Sequence, residues 1–135
     1  MKVLSLLQPW ATLVVIGVKQ VETRSWSTDH RGELLIHAST SKAGAMIALE
    51  PPFTKYIKEF KDLPVGAIIG QVTLTDVLLI EQQQLEGNRL NQLTLEERAF
   101  GDYSEGRYAW LLSDPVQFDN PIPVKGSLRL WDFEM

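Results

Sequence analysis

The densest group of chemically capable side chains in this 135-residue sequence is Gly17-Val18-Lys19-Gln20-Val21-Glu22-Thr23-Arg24-Ser25-Trp26. Residues 21 to 26 alternate apolar and polar side chains, the pattern of an extended strand. Alternate residues of a strand share a face. Gln20, Glu22 and Arg24 therefore fall on one side, and Val21, Thr23 and Ser25 on the other. Lys19 stands at the corner before the strand, within reach of the first face. A lysine, a carboxylate and a guanidinium gathered there make a ligand pocket. Lys and Arg hold a phosphate or a carbonyl oxygen, and Glu accepts from a base amino group. The same spacing also fits an Arg–Glu ladder on a solvated strand face.

His37 ends an otherwise apolar segment, Glu33 to Ala38, a placement that suits a satisfied core or rim residue better than a catalyst. Trp10, Trp26, Tyr103 and Trp110 are rings of the kind that stack on bases. Trp110, inside Tyr108-Ala109-Trp110-Leu111-Leu112, reads as core. Tyr103 and Ser104 lie in a glycine-flanked loop suited to a binding lip. Lys42, Lys55, Lys58 and Lys61 read as a solvated helix face.

Several chemistries are excluded. The absence of cysteine removes disulfides, thiolate nucleophiles and cysteine-ligated zinc, and two histidines are too few for an expected histidine metal site. No glycine-rich phosphate loop, dinucleotide fingerprint or nucleophile-elbow serine occurs. Neither a metal nor a cofactor is expected.

The elements that must position these residues follow from the pattern. Val3 to Leu7 predicts a buried strand, and Pro9 sits where it suits the first turn of a helix. Trp10, Leu13, Val14 and Val18 continue at helical spacing up to a stop at Gly17. Glu33 to Ala38 predicts a strand after the Arg31-Gly32 turn. Thr40 or Ser41 caps a predicted helix through Ala48, ended by Pro51-Pro52, and Phe53 to Phe60 predicts a further helical turn or two. Ile68 to Ile80 is a long strand whose mixed phase predicts a bulge or barrel bend. Gln82 to Leu93 is expected to be irregular. Thr94 and Glu97 have capping-box spacing for a short helix ended by Gly101. Tyr108 to Leu112 and Lys125 to Phe133 predict two last strands joined by a proline-containing loop. Strands without regular helical crossovers favour a small mixed or closed barrel.

Length implies one domain, 1–135, large enough to bury about two-thirds of its surface. The 44% hydrophobic and 22% charged fractions are ordinary for a globular protein, and no apolar run reaches a membrane span. The cytoplasm is the expected location. Net charge is −4, divided unevenly: residues 1–61 carry eight Lys/Arg against five Asp/Glu, and residues 62–135 carry five against twelve. A wholesale electrostatic nucleic-acid binder would be basic throughout, so any positive face is local.

The segments Leu4-Ser5-Leu6-Leu7-Gln8-Pro9-Trp10-Ala11, Gly17-x-Lys19-x-x-Glu22-x-Arg24-x-Trp26 and His37-Ala38 resemble the ASCH family, the activating-signal-cointegrator homology domains. Phe100-Gly101-Asp102-Tyr103-Ser104 and Arg107-Tyr108-Ala109-Trp110 resemble the later part of bacterial and phage members, so the resemblance runs from Leu4 to about Trp131. It implies an α+β, PUA-like fold: a small β-barrel with helices covering its openings and a cleft between barrel and first helix. It also implies binding of RNA, another single-stranded nucleic acid or a modified nucleoside in that cleft. By motif position, Lys19, Glu22 and Arg24 would line the cleft, with Gln8, Trp10 and Trp26 beside it. His37 and Tyr103 complete the candidate ligand set.

One bacterial branch resembles amidohydrolases that deacetylate N4-acetylcytidine through a Lys-x-x-Thr-x-Arg motif. This chain has Glu22 where that threonine would stand. A carboxylate nucleophile would form a mixed anhydride, and Thr23 belongs to the other strand face. The alternative to a binding module is therefore a hydrolase of RNA or an acylated nucleoside. In it Glu22 would be general base for water and Lys19 would stabilise developing charge.

Overall fold

The computed structural model describes residues 1–81, 90 and 93–135. β1 (Lys2–Leu6) runs through a cis Gln8–Pro9 peptide into α1 (Trp10–Val15). Ala11 to Val15 are all buried, so this six-residue helix is held by packing rather than by intrinsic propensity. Each of Leu13, Val14 and Val15 contributes about 1.5–3 kcal/mol by leaving water. Gly17, at φ +84°, turns the chain into β2 (Val21–Arg24).

β3 (Gly32–Ala38), β4 (Ala67–Leu79), β5 (Tyr108–Pro123) and β6 (Leu130–Asp132) complete a six-stranded sheet in the order β2-β5-β4-β3-β1-β6. β1 and β3 are parallel, and the other neighbours are antiparallel. Three register shifts along the β4–β5 ladder bend both strands, as the mixed phase of 68–80 predicts. The sheet curls into a half-barrel of the PUA-like α+β kind. Among the described residues it is not closed by pairing, because β2 and β6 are its two edges. Beyond β2, the Trp26 ring meets the Arg129 guanidinium just before β6, at 4.9 Å.

One face of the sheet (Leu4, Leu34, Ile36, Ile69, Leu74 and Trp110 among others) packs on Ala11, Val14 and Val15 of α1. Gly70 permits this approach: a Cβ there would lie 2.6 Å from Val15 Cγ1 and 2.4 Å from the Val116 carbonyl oxygen. The other face (Val3, Leu35, Ile68) is covered by Phe118, Ile122, Trp131 and Phe133. Leu13 anchors a second cluster with Phe53, Ile57 and Phe100.

Two expectations are corrected. No α-helix forms over residues 40–48; turns and a 3₁₀ turn at Ile47–Leu49 stand there instead, and the helical turns expected over 53–60 are 3₁₀ turns at Phe53–Lys55 and Phe60–Asp62. Lys42, Lys55, Lys58 and Lys61 consequently share no helix face. The segment is pressed against the β1–α1 corner, where a Cβ on Gly44 would lie 1.9 Å from the Gln8 carbonyl oxygen. That contact overrides a capping signal in a stretch too short to propagate a helix. The expected proline loop is part of β5. β2 pairs β5 over Tyr108–Leu111, with the Leu112 amide still donating to Gln20 O, so beyond Leu112 one edge of β5 has no strand partner among the described residues and tolerates Pro115, Pro121 and Pro123.

α2 (Leu95–Ala99) begins at Thr94, whose hydroxyl accepts the Glu97 N–H at 3.0 Å, as the capping spacing predicts. The expected irregular stretch Gln82 to Leu93 lies, apart from Leu90 and Leu93, outside the described residues.

Candidate functional site

The turn after α1 aims Lys19 inward. The amides of Val18 and Lys19 both donate to Leu13 O, at 3.1 and 3.0 Å. The Lys19 side chain is wholly buried, and its ammonium donates to Val21 O and lies 3.3 Å from Glu22 Oε1. Glu22 Oε2 in turn takes Arg24 Nη1 at 3.3 Å. The carboxylate thus bridges a buried cation and a partly exposed one. Arg24 continues over the Trp26 ring at 5.6 Å, and Trp26 meets Trp110 edge-on at 4.9 Å. Lys19, Glu22 and Arg24 come together as the spacing predicts, with Lys19 behind the other two.

Glu22, Thr23 and Arg24 border a cleft of about 400 Å³. Its aromatic lining is Trp10, Phe53 and Phe100, and Asp102 and Arg107 close its polar side. Trp10 is held by its indole N–H on Phe100 O (2.8 Å) and by edge contact with Phe53. Arg107 donates to Asp102 O (3.1 Å) and Thr23 O (3.2 Å). Hydrogen bonds from the Ser104 hydroxyl and amide hold the Asp102 carboxyl below its usual range. Thr23 Oγ1 accepts the Asp102 N–H at 3.1 Å, docking the loop after α2 onto β2. Strand alternation therefore holds in the partners chosen: Glu22 turns to Lys19 and Arg24, Thr23 to Asp102. Both border the cleft.

Behind the cleft, Glu97 Oε1 accepts the Gln20 N–H at 2.6 Å. Burial raises the Glu97 pKa, against the opposing pull of the Gln20 amide and the Lys19 charge. Glu97 Oε2 and Tyr103 Oη are buried without a hydrogen-bond partner among the described residues. Burial, then the charges of Glu97 and Glu22, push the Tyr103 phenol well above its usual value.

The remaining candidates lie elsewhere. Gln8 is fully buried, its amide donating to Pro64 O (2.8 Å) and accepting from Thr12 N (3.0 Å), which removes it from any ligand surface. Tyr103 turns its hydroxyl inward and packs with Val21 and Ala109, so it makes no lip. His37 is buried in a different cavity, bonded to Ser5 and Val124 O. Trp26 is half-buried beside the cleft, and Trp110 is core, at 0% exposure. Thr23, Phe53, Phe100, Asp102 and Arg107 are cleft residues that the sequence reading did not assign to a ligand site. Phe100, Asp102 and Arg107 carried a signal, their places in Phe100-Gly101-Asp102-Tyr103-Ser104 and Arg107-Tyr108-Ala109-Trp110. Among the described residues, no group of three or more His, Asp or Glu side chains converges as a metal site.

The profile of the ASCH domain matches residues 4–122, the span that holds both walls of the cleft. The chain belongs to the ASCH domain family. It is 31% identical over 137 residues to activating signal cointegrator 1 of Mus musculus and, to the same degree, of Homo sapiens. The alignment takes in 97% of this chain and 22% of each relative, so the chain spans about a fifth of their length. Among solved structures, ASCH from Zymomonas mobilis superposes with a TM-score of 0.54 at 21% identity, over 90% of this chain and 72% of that one. A point mutant of that protein gives the same TM-score at 23% identity, over 91% and 73%. These likenesses establish the ASCH fold. Among the described residues, no helix of this ASCH domain is long and apolar enough to cross a membrane.

Proposed function

We propose that this ASCH domain binds RNA, another single-stranded nucleic acid or a modified nucleoside in the cleft beside β2. The observation that carries the reading is the composition of that cleft: the half-buried Trp10 ring, backed by the buried rings of Phe53 and Phe100, with Glu22, Arg24 and Arg107 on the same cleft. A nucleobase has an apolar face and a polar edge. Aromatic rings take the face, a carboxylate accepts from an exocyclic amino group, and guanidinium groups take phosphate or carbonyl oxygens. Membership in a family thought to bind RNA supports the same reading. The net charge of −4 keeps non-specific affinity low.

The hydrolytic reading has less support. Lys19 sits behind Glu22 with its ammonium already engaged, so an oxygen of a molecule in the cleft reaches it only by breaking that pair. The Thr23 hydroxyl is committed to the Asp102 amide.

Fluorescence anisotropy with a short labelled single-stranded RNA, across a salt series, tests the proposal. Arg24→Gln is expected to weaken binding and reduce the salt slope by about one. Binding unchanged in both Arg24→Gln and Trp10→Leu would overturn it. Salt-insensitive binding lost in Trp10→Leu would assign the cleft to a free nucleoside instead.

A further inference from the structure

A second cavity, of about 340 Å³, shares no lining residue with the cleft. It opens where Ser5 of β1 and His37 of β3 stand side by side in the parallel ladder. Ser5 Oγ is 3.2 Å from His37 Nδ1, and His37 Nε2 is 2.7 Å from Val124 O. A carbonyl oxygen only accepts, so Nε2 carries the proton of the neutral ring. Nδ1 then presents a lone pair, and the Ser5 hydroxyl donates to it. Trp131 Nε1–H donates to the same Oγ at 3.0 Å, and its ring meets the imidazole edge-on at 5.6 Å. The hydroxyl is thus aimed at the base by a second fixed contact.

The backbone at Gly126 packs directly against this pair. A Cβ there would lie 2.6 Å from His37 Cε1, 2.7 Å from Nδ1 and 2.8 Å from Ser5 Oγ. Only glycine permits that approach, and Ser5, His37 and Gly126 line the wall of the cavity together. Ser5 is only half-buried, and Lys125 lines the same cavity. A nucleophile, a base within reach of it, and a third group that orients the base are the parts of an acyl-transfer site.

We propose that Ser5 and His37 form a nucleophile–base pair able to accept the acyl group of a small carboxylic ester. Ser5 Oγ attacks the ester carbonyl carbon while its proton passes to His37 Nδ1. The ester C–O bond then breaks, and the leaving oxygen takes that proton back from Nδ1. Water hydrolyses the resulting acyl-serine by the same proton route, returning free Ser5 and the carboxylic acid. Val124 O holds the ring orientation throughout, and Lys125 supplies positive charge towards the tetrahedral oxyanion.

The test uses p-nitrophenyl acetate as substrate and a fluorophosphonate as a trapping probe. Wild-type protein is expected to take up one phosphonyl group, mapped to Ser5 by peptide mass spectrometry, and His37→Asn to lower ester turnover about 10²-fold or more. Label found on another residue, or no label on folded protein, would overturn the proposal. Ser5→Ala strands the Trp131 N–H and so risks the fold. Ser5→Cys keeps a side chain of similar shape and introduces a thiol into a chain that has none. Its alkylation by iodoacetamide is expected to slow about ten-fold when His37→Asn is added, because the thiolate is the reacting form. Equal rates in the two proteins would show that His37 takes no proton from position 5, and would overturn the proposal.

Discussion

Lys19→Met removes the one ammonium that meets Glu22 from inside the fold while keeping most of the side-chain volume. The Lys19 side chain has no exposed surface, and that of Glu22 is 9% exposed. Loss of the ammonium leaves the Val21 carbonyl without that donor and Glu22 dependent on Arg24, whose side chain is 27% exposed. Removing one member of a buried ion pair costs about 3–5 kcal/mol, and the surviving Arg24 contact places this variant at the lower end, about 3 kcal/mol. At roughly 3 °C per kcal/mol for a chain of this length, Tm should fall by about 10 °C. Urea and thermal unfolding followed by circular dichroism measure both quantities. Adding Glu22→Gln removes the stranded charge, and the double-mutant cycle should give a coupling of at least about 1 kcal/mol. A cost for Lys19→Met below about 1 kcal/mol, the worth of a surface pair, would refute the reasoning.

Other outcomes follow from the same geometry. The raised pKa of Glu97 means that the unfolded chain loses this proton first, so the group destabilises the fold as pH rises above its ordinary value of 4.5. Glu97→Gln, which mimics the protonated form, should therefore gain stability relative to wild type between about pH 4.5 and the raised native pKa; pH-independent parallel curves would contradict this. Gly70→Ala places a methyl against Val15 and the Val116 carbonyl and should cost about 2 kcal/mol or more in urea unfolding. Thr94→Ala removes the cap of α2 and should cost about 1 kcal/mol in the same assay.

What the sequence made legible was local. The alternation of residues 21–26 put Glu22 and Arg24 on one face, Thr94 marked the start of α2, and the mixed phase of 68–80 marked the bulges. Depth was not legible. Lys19 and Gln8 look available beside Glu22 and Trp10, yet both are buried, because their polar atoms find Val21 O, Glu22, Pro64 O and Thr12 N only after the chain has folded back. The helix expected over 40–48 and the loop expected after Leu112 failed for a related reason. Gly44 answers to the Gln8 carbonyl, and the prolines of β5 answer to a free sheet edge, neither of which is encoded nearby. The cleft is assembled from segments as distant as Thr23 and Asp102, 79 residues apart, so nothing local showed that its two walls meet.

Photocross-linking tests most directly whether the cleft beside β2 is where a nucleic acid sits. A short single-stranded RNA carrying 4-thiouridine, irradiated on the protein and mapped by peptide mass spectrometry, reports which side chains touch the base. The expected adduct lies on Trp10, the half-buried ring of the cleft, and it should diminish in Arg24→Gln. Adducts confined to the β5–β6 face, with none in the peptide carrying Trp10, would contradict the assignment of the cleft.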